Sequence, residues 1–394
     1  MDQIKQKALK LHKKYQGKLA TISLPSITTK EDLSYYYTPG VAAVSEAIAK
    51  NPSLSFDLTW RGRTIAVISD GSAVLGLGNI GPEAALPVME GKSLLLKRFA
   101  NVDSVPLVLN TQEPTEIISC IKHLTPSFAG INLEDIASPS CFIIEDALQD
   151  IGIPVFHDDQ HGTAIVVTAA LHNAAKVVNK PYESLKVVIV GAGAAGLAVA
   201  RMLLGLDCSG DSCRYLPGST SVKDVIVVDT HGALFIGRDN MNIYKQAIAG
   251  LSNKEKKVGP LQEIIKGADA VIGVSRPGSI QPEMIKSMAD KPIVFALANP
   301  TPEIMPDEAK KAGAYVVATG RSDFPNQINN LLAFPAVFKA VIKGRLTKIT
   351  PLMKEAAAKK LAALIPHPTP ERIIPDPFFP DLVETVSEAI LQQA

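Results

Sequence analysis

The residues best suited to chemistry are the run Phe156-His157-Asp158-Asp159-Gln160-His161-Gly162-Thr163. An Asp between a strand and a helix often serves as an N-cap, but capping needs only one acid. Two adjacent acids flanked by two histidines exceed that need. A short apolar strand-like run, residues 153–156, precedes them, and a small-residue apolar helix, residues 164–178, is expected to follow. Acids between such elements stand at the carboxyl edge of a strand, where open α/β sheets place their ligands. A second pair, Glu134-Asp135, ends the preceding strand-like run at residues 129–133. Four carboxylates at two successive strand ends repel one another unless a cation neutralises them or they take up protons. Hard carboxylate oxygens favour Mg²⁺ or Mn²⁺ over zinc. Neighbours on a strand face opposite ways, so Glu134 and Asp135 reach one ion only if the chain turns at the strand end.

A second chemistry-bearing stretch is Gly191-Ala192-Gly193-Ala194-Ala195-Gly196, directly after a buried strand at 186–190 and before a helix at 197–206. Its glycines permit a tight turn, close approach of a pyrophosphate to backbone N–H groups, and close helix–strand packing. Asp229 ends the next strand, 225–228, where a ribose-binding acid belongs. The interval from Gly196 to Asp229 is longer than the usual ~20 residues. Residues 207–223, rich in Ser, Gly, Pro and Cys, are expected to be a loop insertion that accounts for the excess. Another formal match at Gly76, Gly78 and Gly81 stands away from the end of its strand, 64–69, and the strand after it, 105–109, ends in Asn110. It lacks the strand–turn–helix context of a dinucleotide loop.

The elements that would hold these groups alternate along the chain. Strand signals at 105–109, 129–133, 153–156, 270–274, 292–297 and 314–318 are separated by helical stretches, the pattern of a parallel α/β protein. At 394 residues the chain exceeds a usual single core, so two domains are expected. With 46% hydrophobic and 20% charged residues it can bury real cores and is not disordered. Lys plus Arg (40) nearly balances Asp plus Glu (39), which leaves no basic field for nucleic acid or for a membrane surface. Residues 1–15 are Lys-rich and lack the apolar centre of a signal peptide, and no apolar run approaches the ~18 residues of a membrane span. Cys120 and Cys141 fall in apolar helical runs, as core thiols do. Cys208 and Cys213 do not fit common zinc spacings, so a reduced, cytoplasmic protein is expected.

Several of these segments, with Tyr37-Thr38-Pro39-Gly40, Asp70-Gly71, Ala298-Asn299-Pro300 and Asn329-Asn330, resemble the malic enzymes in order along nearly the whole chain, in the small-subunit bacterial form. The resemblance implies an N-terminal parallel α/β domain for malate and metal at residues 1–160, a Rossmann-type NAD(P) domain at 161–345 and a helical, Pro-rich tail at 346–394. It implies oxidation of (S)-malate with NAD or NADP and release of pyruvate and CO₂. Glu134, Asp135 and Asp159 would be the metal ligands, Lys92 the general base, Tyr37 the acid, and Asp158 a supporting proton-transfer group. Ala192 to Gly196 and Asn299 would touch the cofactor, and Lys92 and Asn330 the substrate. Larger animal forms carry an Arg two residues after the Asp-Gly pair; here that residue is Ala73, which leaves open what holds the distal malate carboxylate.

Lys92 must be neutral to take a proton, so burial and the metal charge are expected to lower its pKa from ~10.4. Thr230 and His231 after Asp229 include no Lys or Arg for a 2′-phosphate, which leans to NAD. An apolar N-terminal helix face and a Pro-rich C-terminal arm suit a homodimer. The alternatives are a malolactic enzyme that releases lactate, a catalytically silent dinucleotide sensor, and an amino-acid dehydrogenase that would need a lysine pair and no metal.

Overall fold

The strand-like runs of the first half form a four-stranded parallel sheet in the computed structural model, which describes residues 2–74, 76–210 and 212–394. Its strands are β1 (Thr64–Ser69), β2 (Asp103–Val108), β3 (Gly130–Leu133) and β4 (Val155–His157), in the order β2-β1-β3-β4. β1 is β-branched at Thr64, Ile65, Val67 and Ile68 and buried at every position, as a strand covered on both faces must be. Register fixes the site. Ile68 pairs with Leu133, and Leu133 with His157, so the residues that follow β1, β3 and β4 emerge level along one carboxyl edge.

The second half contributes β5 (Lys186–Val190), the hairpin β6 (Leu206–Ser209) and β7 (Ser212–Tyr215), then β8 (Asp224–Asp229), β9 (Gly232–Ala233), β10 (Ala270–Gly273), β11 (Ile293–Ala296) and β12 (Val316–Thr319). Six of these form a sheet in the order β12-β11-β10-β5-β8-β9, parallel except for β9, which runs back along β8. Strand order reverses between β5 and β10, and the crevice at such a reversal is where open α/β sheets bind ligands. Period-two alternation serves both faces: Val187 and Ile189 join one apolar cluster, Val188 and Val190 another.

The Asp158–Val177 helix ties the two sheets together. Residues 164–171 are buried without a break, the mark of a helix covered on all sides. It packs on the Ala194–Leu203 helix of the second sheet and on the Pro351–Ala363 helix of the C-terminal tail. It also begins earlier than the sequence suggests: the acid pair is its first turn, not a loop before it. Acids suit that place because the first-turn N–H groups and the helix dipole favour negative charge. Asn173 in its last turns donates to Ala362 O at 2.8 Å and Ile373 O at 2.9 Å, stitching the tail down.

Two expectations are corrected. Residues 207–223 are not simply a loop, because 206–209 and 212–215 pair as the β6–β7 hairpin. The cysteines there are not both reduced: antiparallel pairing sets Cys208 opposite Cys213, with Cα atoms 4.1 Å apart, and the two form a disulfide. A hairpin brings them together in a way that comparison with zinc spacings does not reveal. Cys120 and Cys141 are free thiols, the first half-buried and the second buried. The Pro82–Leu95 helix continues as one wide turn, Leu96–Ala100, closed by left-handed Asn101 (φ 53°). The Lys30–Tyr36 and Gly40–Lys50 helices bury no residue, and Ile22, Leu24, Tyr35 and Tyr37 stand well exposed. Among the described residues no helix is long and apolar enough to cross a membrane.

Candidate active site

Both acid pairs meet at the carboxyl edge of the first sheet. Glu134 directly follows β3, and Asp135 adopts a left-handed backbone (φ 54°), a conformation an Asp tolerates better than most residues. That residue is the turn required for both side chains to serve one site. Its N–H donates to Asp159 Oδ2 at 2.8 Å and its carbonyl accepts from Ala73 N at 2.9 Å, so the loops after β1, β3 and β4 are joined there. One carboxylate oxygen from each of Glu134, Asp135 and Asp159 lies within 4.8 Å of the others.

Lys92 enters from the Pro82–Leu95 helix and is buried, against expectation for a lone lysine. Its Nζ donates to Asp158 Oδ2, lies 2.8 Å from Glu134 Oε1, and sits over the Phe334 ring, 4.5 Å from the centroid. Burial works against its charge, but the carboxylates of Asp158 and Glu134 outweigh burial and hold the Lys92 pKa above its ordinary value. The sequence expectation counted a bound cation beside the amine; with the acids alone around it, the charge of Lys92 is stabilised. Burial also pushes the Glu134 carboxyl well above the usual range; Lys92 pulls it back, and the charges of Asp159, Asp158 and Asp135 push it up again. Asp158, buried completely, is raised to about 6 by desolvation in spite of Lys92.

A cluster with three converging carboxylates, one shared cation and an elevated glutamate pKa fits a divalent ion. The all-oxygen donor set of Glu134, Asp135 and Asp159 suits Mg²⁺ or Mn²⁺. Behind it stands a support that sequence reasoning missed. His157 Nε2 lies 3.0 Å from Asp159 Oδ2, and its Nδ1 meets Gln160 Nε2 at 2.9 Å. Gln160 in turn donates to Glu145 Oε2 at 2.8 Å, and Glu145 Oε1 holds His161 Nε2 at 2.7 Å. His157, Gln160 and His161 belong to the visible motif. Glu145, on the Ser140–Ala147 helix, carries no local signal that could have found it.

The glycine loop of the second sheet has the shape a dinucleotide needs. A Cβ on Gly191 (φ 120°) would come 2.5 Å from Val274 O, and one on Gly196 would come 1.9 Å from Gly191 O, whereas a Cβ on Gly193 would meet nothing within 4 Å. Two of the glycines are thus required by packing, and the third faces open space beside the first turn of the Ala194–Leu203 helix, as pyrophosphate access demands. Ala192, Ala194 and Ala195 complete the loop.

At the end of β8, Asp229 is not a free acceptor. Arg238 grips it with two hydrogen bonds, 2.8 and 2.7 Å, and Lys245 adds a third at 2.8 Å. These bonds hold the Asp229 carboxyl far below its usual range even though burial opposes ionisation. The expected lack of basic residues near the ribose acid is therefore corrected: two cations arrive from the segment after β9.

The seam between the sheets brings in further residues. A Cβ on Gly76 would strike Asn299 O at 2.3 Å, and one on Gly320 would strike Asn299 Nδ2 at 2.6 Å, so the first glycine-rich loop closes on Asn299. Asn330 Cβ lies 3.1 Å from where a Cβ on Gly162 would stand, beside Asp158. Tyr37 is the exception. It is 69% exposed, and its side chain has no recorded partner in the acid cluster.

Comparisons with known proteins agree with this arrangement. The family description "Malic enzyme, N-terminal domain" matches residues 16–149, and "Malic enzyme, NAD binding domain" matches residues 160–393. The chain is 47% identical to the bifunctional malic/malolactic enzyme of Bacillus subtilis, over 99% of its own length and 93% of that protein's. It is 48% identical to the NAD-dependent malic enzyme of Geobacillus stearothermophilus, over 96% and 77% respectively. The crystal structure of the NAD-dependent malic enzyme from Thermotoga maritima superposes with a TM-score of 0.91 at 47% identity, covering 98% of both chains. With family descriptions spanning both sheets and relatives matched nearly end to end, the chain belongs to the malic enzyme family.

Proposed function

We propose that this chain oxidises (S)-malate with NAD(P)⁺ and decarboxylates the product to pyruvate, with Mg²⁺ or Mn²⁺ held by Glu134, Asp135 and Asp159. Residues 1–160 would carry malate and metal, 161–345 the nucleotide, and 346–394 the tail. One observation carries the reading: a buried lysine bonded to Asp158 and Glu134, beside a three-carboxylate cluster and at the seam with the dinucleotide sheet. A pure sensor of dinucleotides has no use for that amine, and an amino-acid dehydrogenase has no use for the carboxylates.

When bound, the divalent ion supplies Lewis-acid charge to the malate oxygens and the nicotinamide accepts the hydride. The protein supplies the rest. Lys92 Nζ takes the 2-hydroxyl proton in its neutral form, and Asp158 Oδ2, already bonded to it, receives the proton the ammonium must first give up. That exchange needs the divalent ion to neutralise the carboxylates that otherwise hold Lys92 as a cation, since Asp158 is raised only to about 6. Phe334 covers Lys92 and keeps water from it. Asn330 orients substrate, and Asn299 meets the cofactor where the two halves close. Tyr37 Oη donates the proton to the carbon that becomes the pyruvate methyl. Its exposure, on a segment with no buried residue, supports a homodimer in which a second copy covers the tyrosine segment.

The test is stoichiometric. Malate with NAD⁺ or NADP⁺ and Mn²⁺ should yield reduced coenzyme, pyruvate and CO₂ in equal amounts. The Bacillus subtilis relative's name includes a malolactic activity, so product analysis decides between the outcomes. Lactate without net reduced coenzyme would overturn the proposal.

A further inference from the structure

A cavity of about 340 Å³ lies on the far side of the Asp158–Val177 helix from the acid pairs, bounded by the Ala194–Leu203 helix, the β6–β7 hairpin and the start of the Pro351–Ala363 helix. Its size falls in the range of small-molecule sites, about 300–1,000 Å³. The acids that line it are all engaged. Glu145 holds His161 and Gln160, Asp146 accepts from Gly210 N and the Tyr244 hydroxyl, and Asp150 pairs with Lys348. Asp207 pairs with Arg214, and Glu355 takes Thr220 and Lys359.

Two lining cations, Arg201 and Lys354, make no ion pair within 4 Å among the described residues, although Asp146 and Glu145 stand near enough to favour the charge of the first and Glu145 that of the second. Arg201 rests against the Phe142 and Tyr244 rings, and its Nε and Nη2 are buried without an acceptor. Lys354 meets only His161 Nδ1, at 3.0 Å. Burial lowers the Lys354 pKa to about 8; the Glu145 carboxylate opposes that shift, and the positive charge of Arg201 adds to it. Buried guanidinium donors without an acceptor are costly, and a bound acceptor would satisfy them.

We propose that this cavity is a second ligand site, which takes a small oxyanion, the phosphate or carboxylate group of a metabolite-sized ligand, between Arg201 and Lys354. Guanidinium and ammonium donors are the groups proteins use for such anions. The site is separate from the glycine loop and from the metal cluster, and it does not depend on the reaction assigned above.

The experiment is a calorimetric titration of the full chain, saturated with NAD⁺ and at constant ionic strength, with inorganic phosphate and with citrate as separate probes. Saturable binding of either probe is expected, and the stronger of the two identifies the anion type. Arg201→Gln and Lys354→Gln should each weaken it about tenfold or more, whereas Arg201→Lys, which keeps the charge, should retain most of it. No saturable binding of either probe, or binding undiminished in both Gln variants, overturns the proposal. If those variants do not fold, crystals of the wild-type protein soaked in arsenate decide: an anomalous peak between Arg201 and Lys354 supports the site, and peaks only elsewhere refute it.

Discussion

Gly162→Ala should cripple this protein even though alanine is the better helix former. In an ordinary helix interior the change would stabilise by about 1 kcal/mol. Here the new Cβ would stand 1.8 Å from Asp158 Oδ1, 2.9 Å from its Cγ and 3.1 Å from Asn330 Cβ. A carbon–oxygen contact needs about 3.3 Å, so the carboxylate must withdraw by roughly 1.5 Å. Asp158 is wholly buried and donor-bonded by Lys92, so withdrawal separates a buried ion pair, at a cost of about 3–5 kcal/mol. After the helix gain, the net loss is about 2–4 kcal/mol. Misplacing a reactive group by ~1 Å can cost about 10²-fold in rate, and kcat for malate should fall by at least that much. Coenzyme binding, tens of residues away on the glycine loop, should persist. Urea unfolding, malate turnover and NAD⁺ titration by fluorescence measure the three quantities. A Gly162→Ala protein of unchanged or greater stability with turnover within a few-fold of wild type would show that Asp158 is not fixed in the way described.

Asp159→Asn and Glu134→Gln should each abolish malate turnover and lower Mn²⁺ affinity while NAD⁺ still binds; near-normal kcat at saturating metal would remove them from the ligand set. Lys245→Met should raise the KM for NADP⁺ about tenfold or more, since a charge-assisted bond to a 2′-phosphate is worth about 1.5–3 kcal/mol, with little change for NAD⁺. An unaltered NADP⁺ to NAD⁺ ratio would exclude Lys245 from coenzyme choice. His172 stacks on Tyr182 with ring centroids 3.8 Å apart, and burial lowers its pKa to about 4, below the unfolded value near 6.5. Unfolded chains therefore take up its proton first, and stability should fall as pH drops from about 6.5 to 4, by up to about 3 kcal/mol. Urea unfolding across that range should show a shallower loss in His172→Phe, and an identical pH slope would count against the assignment.

Much of the site was legible because its chemistry needs residues that packing does not. Two acids after β4 and two after β3 exceed what caps and turns require, and the second glycine loop sits directly on its strand. What remained hidden depended on long-range register. The left-handed turn at Asp135 cannot be seen in Glu134-Asp135, nor can the reach of Arg238 and Lys245 back to Asp229 across β9. Glu145 looks like any helical glutamate until the fold sets it against His161 and Gln160. The Cys208–Cys213 pairing needed a hairpin within a stretch whose composition suggested only a loop. Lys92 was picked out, but its charge state depends on three surrounding carboxylates, Asp158, Glu134 and Asp159, which together outweigh burial.

The Asp158–Val177 helix starts in the acid cluster of one sheet and spends its length packed against the helices of the other. A rotation of the nucleotide half would therefore pull on Asp158 and Asp159, which directly follow β4 and are bonded to Lys92 and to Asp135 N. On the proposed assignment, the metal ligands would converge fully only with the halves closed. Opening would part Asp159 from its two fellow acids and Asp158 from its lysine in one movement, so the seam acts as a latch whose grip on the ion and whose readiness for proton transfer rise and fall together.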